Sequence, residues 1–207
     1  MIKAVLFDFD GTLGNSYVVT VAALQKTLKK FNLSIPNRSI IGHHFGLPRR
    51  KFLEAFLPED NKANLDEMEE YFHQLSVQMI AKVTLMPGAK ALLNKLEGKY
   101  ELAMISSRGG DTLIAILNHH NIQEHFRVVI HRESVKEHKP HPEGILQVLN
   151  KLQLEKTEVV FVGDAKEDVG AAKNAGVTSV LLGKENTHNA DYHITSLKDL
   201  PTILEQL

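Results

Sequence analysis

The chain has 207 residues and a formal net charge of -1; 24% of its residues are charged and 43% are hydrophobic. This balance is typical of a globular protein and argues against a disordered chain, a fibre and a general nucleic-acid binder, which is usually distinctly basic. The absence of cysteine excludes disulfides, thiolate metal sites and cysteine nucleophiles. No apolar run approaches the roughly 20 residues of a membrane span or resembles a secretory signal, so we expect a cytoplasmic protein without a membrane partner.

The first predicted element is a buried strand over the apolar run Ala4–Phe7. Two carboxylates, Asp8 and Asp10, follow it directly and precede a Gly–Thr turn. Burial of carboxylates is costly, and two that lie this close repel each other unless a cation or a shared proton intervenes. A divalent cation with oxygen ligands, Mg²⁺ above all, would remove both costs. The alternative interpretation is an ordinary turn and helix cap.

Apolar residues at helical spacing dominate the next stretch, and no strand pattern interrupts it from Asn15 to Val83. The pattern predicts helices over 15–31, 38–41, 49–56 and 61–81, with 42–48 as a loop. Asn15 or Ser16 is a suitable cap for the first of these helices. We therefore predict that residues 15–85, called here the helical segment, form an α-helical bundle of their own.

After Pro87 the pattern changes to short apolar strands that alternate with helices. The predicted strands cover 102–105, 127–130, 159–162, 179–182 and 192–194, and the predicted helices cover 89–96, 112–118, 143–152, 168–175 and 200–207. Such strands indicate a parallel sheet covered by helices on both faces. The first strand belongs to this sheet. The fold class is therefore α/β, with a core made of residues 1–14 and 86–207 and the helical segment inserted into it.

Several polar residues fall where the predicted strands end. In open α/β sheets ligands bind beyond the carboxyl ends of the strands, so these residues should share one edge. They comprise Asp8 and Asp10 after the first strand, Ser106 and Ser107 after the second, Asp164 after the fourth, and Lys139 in a loop before a helix. Each alone also fits a turn, a solvated loop charge or a helix cap, with Asp168 as a first-turn acid. Together they fit a phosphate held against magnesium.

Four motifs in this order resemble those of the haloacid dehalogenase-like hydrolases, in particular their phosphoglycolate phosphatase-like branch. They are Asp8-Phe9-Asp10-Gly11-Thr12-Leu13, Ser106-Ser107, Lys139-Pro140 and Gly163-Asp164-Ala165-Lys166-Glu167-Asp168. The likeness spans nearly the whole chain. It implies a Rossmann-like catalytic core with an inserted helical cap domain. It also implies a Mg²⁺-dependent phosphatase that hydrolyses a small phosphorylated metabolite, of the phosphoglycolate or sugar phosphate type, through an aspartyl-phosphate intermediate.

The resemblance also implies roles for the acidic residues. Asp8 would be the nucleophile, and Asp10 would protonate the leaving alcohol and then activate water. Mg²⁺ would be held by the Asp8 carboxylate, the Asp164 carboxylate and the backbone carbonyl of Asp10. Asp168 would contact these ligands, and not the ion, and so orient them.

The phosphate would be held by Ser106 and Lys139 together with backbone N–H groups, that of Ser107 among them. The sequence departs from the family pattern at Gly14-Asn15-Ser16, where an apolar residue, Asp and Ser are usual, and at Ser107, where Asn is commoner. We expect little loss from Asn15, since Asn caps helices as well as Asp does. The contribution of the Ser107 side chain stays open.

Candidate substrate-reading residues lie in the helical segment. The candidates are His43, in the glycine-containing loop 42–46, and Arg49, one of a group of basic residues that could meet a carboxylate or a second phosphate of the substrate. A solvated basic helix face is the alternative interpretation of this basic group, and the sequence slightly favours it. A phosphosugar mutase of the beta-phosphoglucomutase type is the main alternative function, and a catalytically silent binding module is a further one. A carbon–halogen hydrolase is disfavoured because Asp10 supplies the acid that a phosphate ester requires. The sequence leaves open whether the protein is a monomer or a homodimer.

Overall fold

The structure is a computed structural model that describes residues 1–58 and 63–207. Its strands are β1 (Ala4–Phe7), β2 (Gly14–Asn15), β3 (Thr84–Leu85), β4 (Glu101–Ile105), β5 (Val128–Ile130), β6 (Val159–Gly163), β7 (Thr178–Leu182) and β8 (Tyr192–Ile194). Six of them form a parallel sheet in the order β5-β4-β1-β6-β7-β8. The predicted α/β fold class is therefore confirmed.

The helices agree with the predicted ones in number and order over the described residues. They are α1 (Tyr17–Lys30), α2 (Arg38–His43), α3 (Arg49–Glu54), α4 (Leu65–Gln78), α5 (Ala89–Leu96), α6 (Gly110–His119), α7 (Glu143–Leu152), α8 (Lys166–Ala175) and α9 (Leu200–Leu204). The predicted start of the fourth helix, Asn61, lies outside the described residues. Among the helices of 1–58 and 63–207, none is both long and apolar enough to cross a bilayer.

Both faces of the sheet are covered, as the apolar strands predict. Along β1 the side chains alternate: Val5 and Phe7 join one apolar cluster with α5 and α6, whereas Ala4 and Leu6 join a second with α7 and α8. All four are completely buried. β1 lies in the middle of the sheet, between β4 and β6, and this placement positions the residues that follow it.

The helical segment has an apolar cluster of its own. It contains Leu24 and Leu28 of α1, Phe52 of α3 and Met68 and Phe72 of α4. The chain enters the segment through β2 and leaves it through β3, and these two strands pair antiparallel. Strands of two residues are too short to produce a periodic pattern, so they were not predicted. They lie at the predicted boundaries of the segment; the division into a core and an inserted domain stays a prediction.

Candidate active site

Asp8 lies at the centre of the candidate site because β1 ends beside it in the middle of the sheet. Its backbone N–H donates to Val162 O (2.9 Å), which continues the strand ladder by one residue. Its side chain is nearly buried, and Lys139 Nζ donates to Asp8 Oδ1 at 2.6 Å. The same ammonium donates to Asp168 Oδ1, also at 2.6 Å. Lys139 therefore joins two carboxylates that are far apart in the sequence.

Asp164 completes a compact acidic group. Carboxylate oxygens of Asp8, Asp164 and Asp168 all lie within 4.8 Å of one another. Thr12, which is fully buried, donates from Oγ1 to Asp164 Oδ1 at 2.8 Å. Gly11 has a φ of 95°, and a Cβ at this position would lie 2.1 Å from Asp164 Oδ2. Glycine is thus required both by the backbone conformation and by the close approach of Asp164.

Asp168 has two functions in this arrangement. Its Oδ2 accepts the backbone N–H of Ala165 (3.0 Å), which caps α8, while its Oδ1 accepts from Lys139. The two interpretations offered by the sequence, a helix-capping acid and a member of the site, are therefore both compatible with the geometry.

Burial raises the pKa of Asp8 well above its usual value, although Lys139 opposes the shift. Burial and the neighbouring Asp168 likewise raise the pKa of Asp164 to about 7. For Lys139 burial alone would lower the pKa, but Asp168 and Asp8 outweigh it and raise the pKa. The acidic group therefore favours further positive charge even beside Lys139. Three convergent carboxylates are the donor set that a hard divalent cation such as Mg²⁺ takes, so these residues fit the predicted metal.

Ser106 and Ser107 follow β4, next to Asp8. Ser106 is nearly buried, and its Oγ accepts the backbone N–H of Arg108 at 3.2 Å, which leaves its own proton for another acceptor. Ser107 lines the same cavity as Asp8 and Lys139. The structure therefore brings all the predicted strand-end residues to one edge.

The Asp10 carboxylate makes its hydrogen bonds outside the acidic group. It accepts from Arg108 through Nε at 2.9 Å and Nη2 at 2.5 Å, which is a two-point ion pair, and it also accepts from Ser16 Oγ. Burial alone would lower the pKa of Arg108, but the Asp10 carboxylate raises it above its usual value. Among the described residues, the Asp10 carboxylate is not part of the acidic group, so its predicted role as a metal ligand rests on its backbone carbonyl.

The predicted cap of α1 is wrong in its chemistry. Ser16 occupies the N-cap position, but its side chain makes no capping hydrogen bond and bonds to Asp10 instead. Asn15 lies in β2 with an exposed side chain. Ser16 has φ −99° and ψ −7°, outside the extended conformation in which a serine usually caps a helix, and its hydroxyl donates to the charged Asp10 carboxylate.

A cavity of about 100 Å³ separates this edge of the sheet from the helical segment. The helical segment contributes Phe45, Leu47, Arg49, Phe52 and Phe72 to its lining, among others. Arg49 was a predicted substrate-reading residue, and its Nε donates to Glu69 Oε1 at 3.1 Å. The other, His43, is exposed, bonds through Nδ1 to the carbonyl of Ser39, and is not among the described residues that line the cavity.

Two arginines of the cavity were not predicted. Arg108 follows the second motif directly, and Arg132 follows β5. Arg132 Nη2 donates to Glu133 Oε1 (2.6 Å), and Glu133 Oε2 accepts the backbone N–H of Gly110 at the start of α6. Their position in the sequence could have identified them, since both arginines come just after predicted strands. Ser106 and Asp8 were selected as site residues on that ground.

Comparison with known proteins places these motifs in a family. The model of the haloacid dehalogenase-like hydrolases matches residues 5–182. Over its length the chain is 30% identical to pyrophosphatase PpaX of Listeria monocytogenes, with 98% of this chain and 96% of the relative covered. It is 26% identical to phosphoglycolate phosphatase of Vibrio parahaemolyticus, with 96% and 94% covered.

The fold is likewise similar to that of solved structures. The crystal structure of beta-phosphoglucomutase from Clostridium difficile superposes with a TM-score of 0.87 at 24% identity, covering 100% of this chain and 97% of that one. The resemblance inferred from the four motifs is confirmed, since the family model covers most of the chain. The chain belongs to the haloacid dehalogenase-like hydrolases.

Proposed function

We propose that the protein is a Mg²⁺-dependent phosphatase that hydrolyses a small phosphorylated metabolite through an aspartyl-phosphate. The observation that carries the proposal is the arrangement of Asp8, Lys139, Asp164 and Asp168 at the end of the central strand. A nucleophilic carboxylate, an ammonium for the phosphoryl oxygens and a set of metal ligands are thereby combined in one buried group. Positioning and charge stabilisation of this kind make up most of the catalysis of phosphoryl transfer.

In the proposed reaction Asp8 attacks phosphorus while the bond to the leaving oxygen breaks, and Asp10 gives a proton to that oxygen. Lys139 already donates to Asp8 Oδ1, which leaves Oδ2 as the attacking atom. A water molecule then attacks phosphorus, and Asp10 takes a proton from this water. The bond between phosphorus and Asp8 breaks, which releases inorganic phosphate and restores the Asp8 carboxylate. Ser106 and Lys139 stabilise the phosphoryl oxygens in both steps.

Mg²⁺ would be held by the Asp8 carboxylate, the Asp164 carboxylate and the backbone carbonyl of Asp10. Asp168 and Thr12 would orient the two carboxylates. When bound, the ion would neutralise charge on the phosphoryl oxygens. Asp168 keeps Lys139 aligned with Asp8 through its own hydrogen bond to the ammonium. Thr12 fixes one oxygen of Asp164.

The substrate is proposed to be small. Relatives bear the names pyrophosphatase and phosphoglycolate phosphatase, and both names describe compact phosphorylated compounds. A cavity of about 100 Å³ is in keeping with this size. We propose that residues 15–85 act as a cap which covers the sheet edge, excludes water and contacts the leaving group through Arg49.

The test is release of phosphate from 4-nitrophenyl phosphate by the wild type and by Asp8→Asn. We expect the substitution to lower kcat by at least about 1,000-fold, since it removes the nucleophile. Asp66→Asn is the matched control, because Asp66 is exposed and pairs only with a surface arginine among the contacts described. Full activity of Asp8→Asn would exclude the mechanism, and failure of the wild type to bind Mg²⁺ in calorimetry would favour a silent binding module.

A phosphosugar mutase is the second candidate, because a beta-phosphoglucomutase shares the whole fold. Such an enzyme would interconvert sugar phosphates in the presence of a catalytic bisphosphate and release little free phosphate. Quantifying free phosphate against isomerised sugar phosphate in one reaction distinguishes the two functions.

A further inference from the structure

Asp10 is held in a way that conflicts with its proposed role. Its carboxylate accepts two hydrogen bonds from Arg108 and one from Ser16. The side chains of Arg108 and Asp10 are only 15% and 16% exposed, so solvent does little to weaken the pair. Both carboxylate oxygens are thus occupied by donors, and the ion pair must open before either oxygen can approach a leaving group. Some event of substrate binding must separate Asp10 from Arg108 before it can act.

The surroundings of Arg108 show what that event requires. Among the described residues, Asp10 is the one carboxylate that pairs with Arg108, and separating them leaves a largely desolvated guanidinium without an acceptor unless another anion takes the place of Asp10. Arg108 lines the same cavity as Asp8 and Ser107, and the leaving group of a phosphate bound at Asp8 would lie in this cavity. An anionic group on the substrate could thus replace Asp10 at Arg108.

Arg132 is a further arginine in the lining of this cavity. Gly109 follows Arg108 in the chain, and a Cβ on Gly109 would lie 3.1 Å from Asp111 Oδ1, 3.2 Å from Arg132 Nη2 and 3.3 Å from Glu133 Oε1. The φ of this glycine is not positive, so the close packing of these side chains, and not the backbone conformation, favours glycine here. Two guanidinium groups are thereby brought to one side of the cavity, and Arg49 lies across it in the helical segment.

We propose that Arg108 is a specificity-determining residue that exchanges Asp10 for an anionic group on the leaving portion of the substrate. The substrate class is a phosphate monoester or anhydride whose leaving group carries a carboxylate or phosphate close to the scissile bond. The planar guanidinium donates two parallel hydrogen bonds to either anion as it does to Asp10. The exchange frees Asp10 to face the leaving oxygen, so only substrates with the anion release the acid. This inference rests on the proposed phosphatase function.

The test compares two substrates that differ in the anion while their leaving alcohols are of similar reactivity: 2-phosphoglycolate and 2-hydroxyethyl phosphate. The proteins are the wild type, Arg108→Met and Arg108→Lys, with the exposed Arg127→Met as control. We expect Arg108→Met to lower kcat/KM for 2-phosphoglycolate by about 100-fold, because a two-point charged pair is lost. For 2-hydroxyethyl phosphate we expect a severalfold increase, because Asp10 is no longer held. Arg108→Lys keeps the positive charge but cannot donate two parallel hydrogen bonds. Its kcat/KM for each substrate should therefore lie between those of the wild type and Arg108→Met.

Pyrophosphate is the third substrate and distinguishes a phosphate from a carboxylate as the preferred anion. An equal loss on the charged and uncharged substrates would overturn the exchange and assign Arg108 a structural role. No loss on either anionic substrate would overturn it as well. If the wild type hydrolyses neither these compounds nor 4-nitrophenyl phosphate, the phosphatase function itself is contradicted. Activity on 4-nitrophenyl phosphate therefore distinguishes failure of the exchange from failure of the phosphatase function.

Discussion

The two walls of the cavity differ in how they balance charge. The phosphoryl wall consists of Asp8, Lys139, Asp164 and Asp168, where three close carboxylates surround an ammonium. The leaving-group wall consists of Arg49, Arg108 and Arg132, and each of these arginines is already paired with one carboxylate: Glu69, Asp10 and Glu133 respectively. The first wall has an excess of negative charge, whereas the second is balanced pair by pair.

This difference indicates two modes of ligand binding. The phosphoryl wall gains from an added cation, since burial keeps the pKa values of Asp8 and Asp164 raised in spite of Lys139. The leaving-group wall can bind an anion only by exchange, because its guanidinium groups already have acceptors. Under the proposed function, the phosphoryl wall would be a fixed reaction centre and the leaving-group wall an adjustable specificity surface, and the predictions below test each wall in turn.

After loss of the Asp8 nucleophile, the largest effect is expected at the ammonium of the phosphoryl wall. Lys139→Met should lower kcat for 4-nitrophenyl phosphate by about 100- to 1,000-fold, since a preorganised donor to the phosphoryl oxygens is lost. Steady-state kinetics measure the loss, and circular dichroism checks the fold. Lys136→Met, an exposed lysine of the same loop, is the control and should retain activity. A Lys139→Met enzyme within tenfold of the wild type would show that the phosphoryl wall does not depend on this charge.

The compactness of the phosphoryl wall is tested next. Gly11→Ala should lower kcat by about 10- to 100-fold, since a Cβ would lie 2.1 Å from Asp164 Oδ2 and force that side chain away. Gly98→Ala is a close control: its φ of 75° is as unfavourable for alanine, but nothing lies within 4 Å of the added Cβ. Both variants should lose stability in urea unfolding, but only Gly11→Ala should lose activity. Equal activity of the two would mean that the position of Asp164 is unimportant.

The phosphoryl wall could be predicted from the sequence because its members follow strands. β1, β4 and β6 are wholly or largely apolar and are recognisable without long-range information. The parallel topology then brings the residues after them, Asp8, Ser106 and Asp164, to one edge. The fold class was accessible by the same reasoning, and the predicted bounds of α5 and α7 coincide with the observed ones.

The leaving-group wall could not be predicted in the same way, since its pairs join distant parts of the chain. Arg108 and Asp10 are 98 residues apart, and arginine is usually exposed, so no local pattern indicates their contact. Ser16 shows the same limit: its position predicts a helix cap, but a carboxylate brought near by the β2 turn takes the hydroxyl. His43, selected for its type within a glycine-containing loop, lies in α2 with an exposed side chain.

A smaller effect is expected on the leaving-group wall. Arg49→Gln should raise KM for 2-phosphoglycolate by about tenfold, equivalent to about 1.4 kcal/mol, and change kcat less. Arg50→Gln is a matched control because Arg50 pairs with the same Glu69 but is half-exposed and does not contribute to the described lining of the cavity. The comparison separates contact with substrate from loss of an ion pair on the helical segment. Similar KM values for the two variants would remove Arg49 from the leaving-group wall.

The smallest effect concerns the stability of the protein without metal. Because burial raises the pKa of Asp164 from its usual 3.8 to about 7, the folded state holds a proton there that the unfolded chain has already released. The stability that this proton provides is fully present below the unfolded pKa of about 4 and is lost as the pH rises through about 7. Asp8 contributes in the same direction. The midpoint of thermal unfolding in chelator should therefore fall between about pH 5 and about pH 8, by at least about 3 °C more than in Asp164→Asn.

Magnesium should reverse this trend, since protons and the metal compete for the same carboxylates. The added ion should raise the unfolding midpoint of the wild type more at about pH 8 than at about pH 5, and should do so much less in Asp164→Asn. Scanning calorimetry of both proteins at the two pH values measures all of these differences. The same pH slope in both proteins, with and without magnesium, would mean that the phosphoryl wall carries no excess negative charge. The contrast between the two walls would then have to rest on the arginine pairs alone.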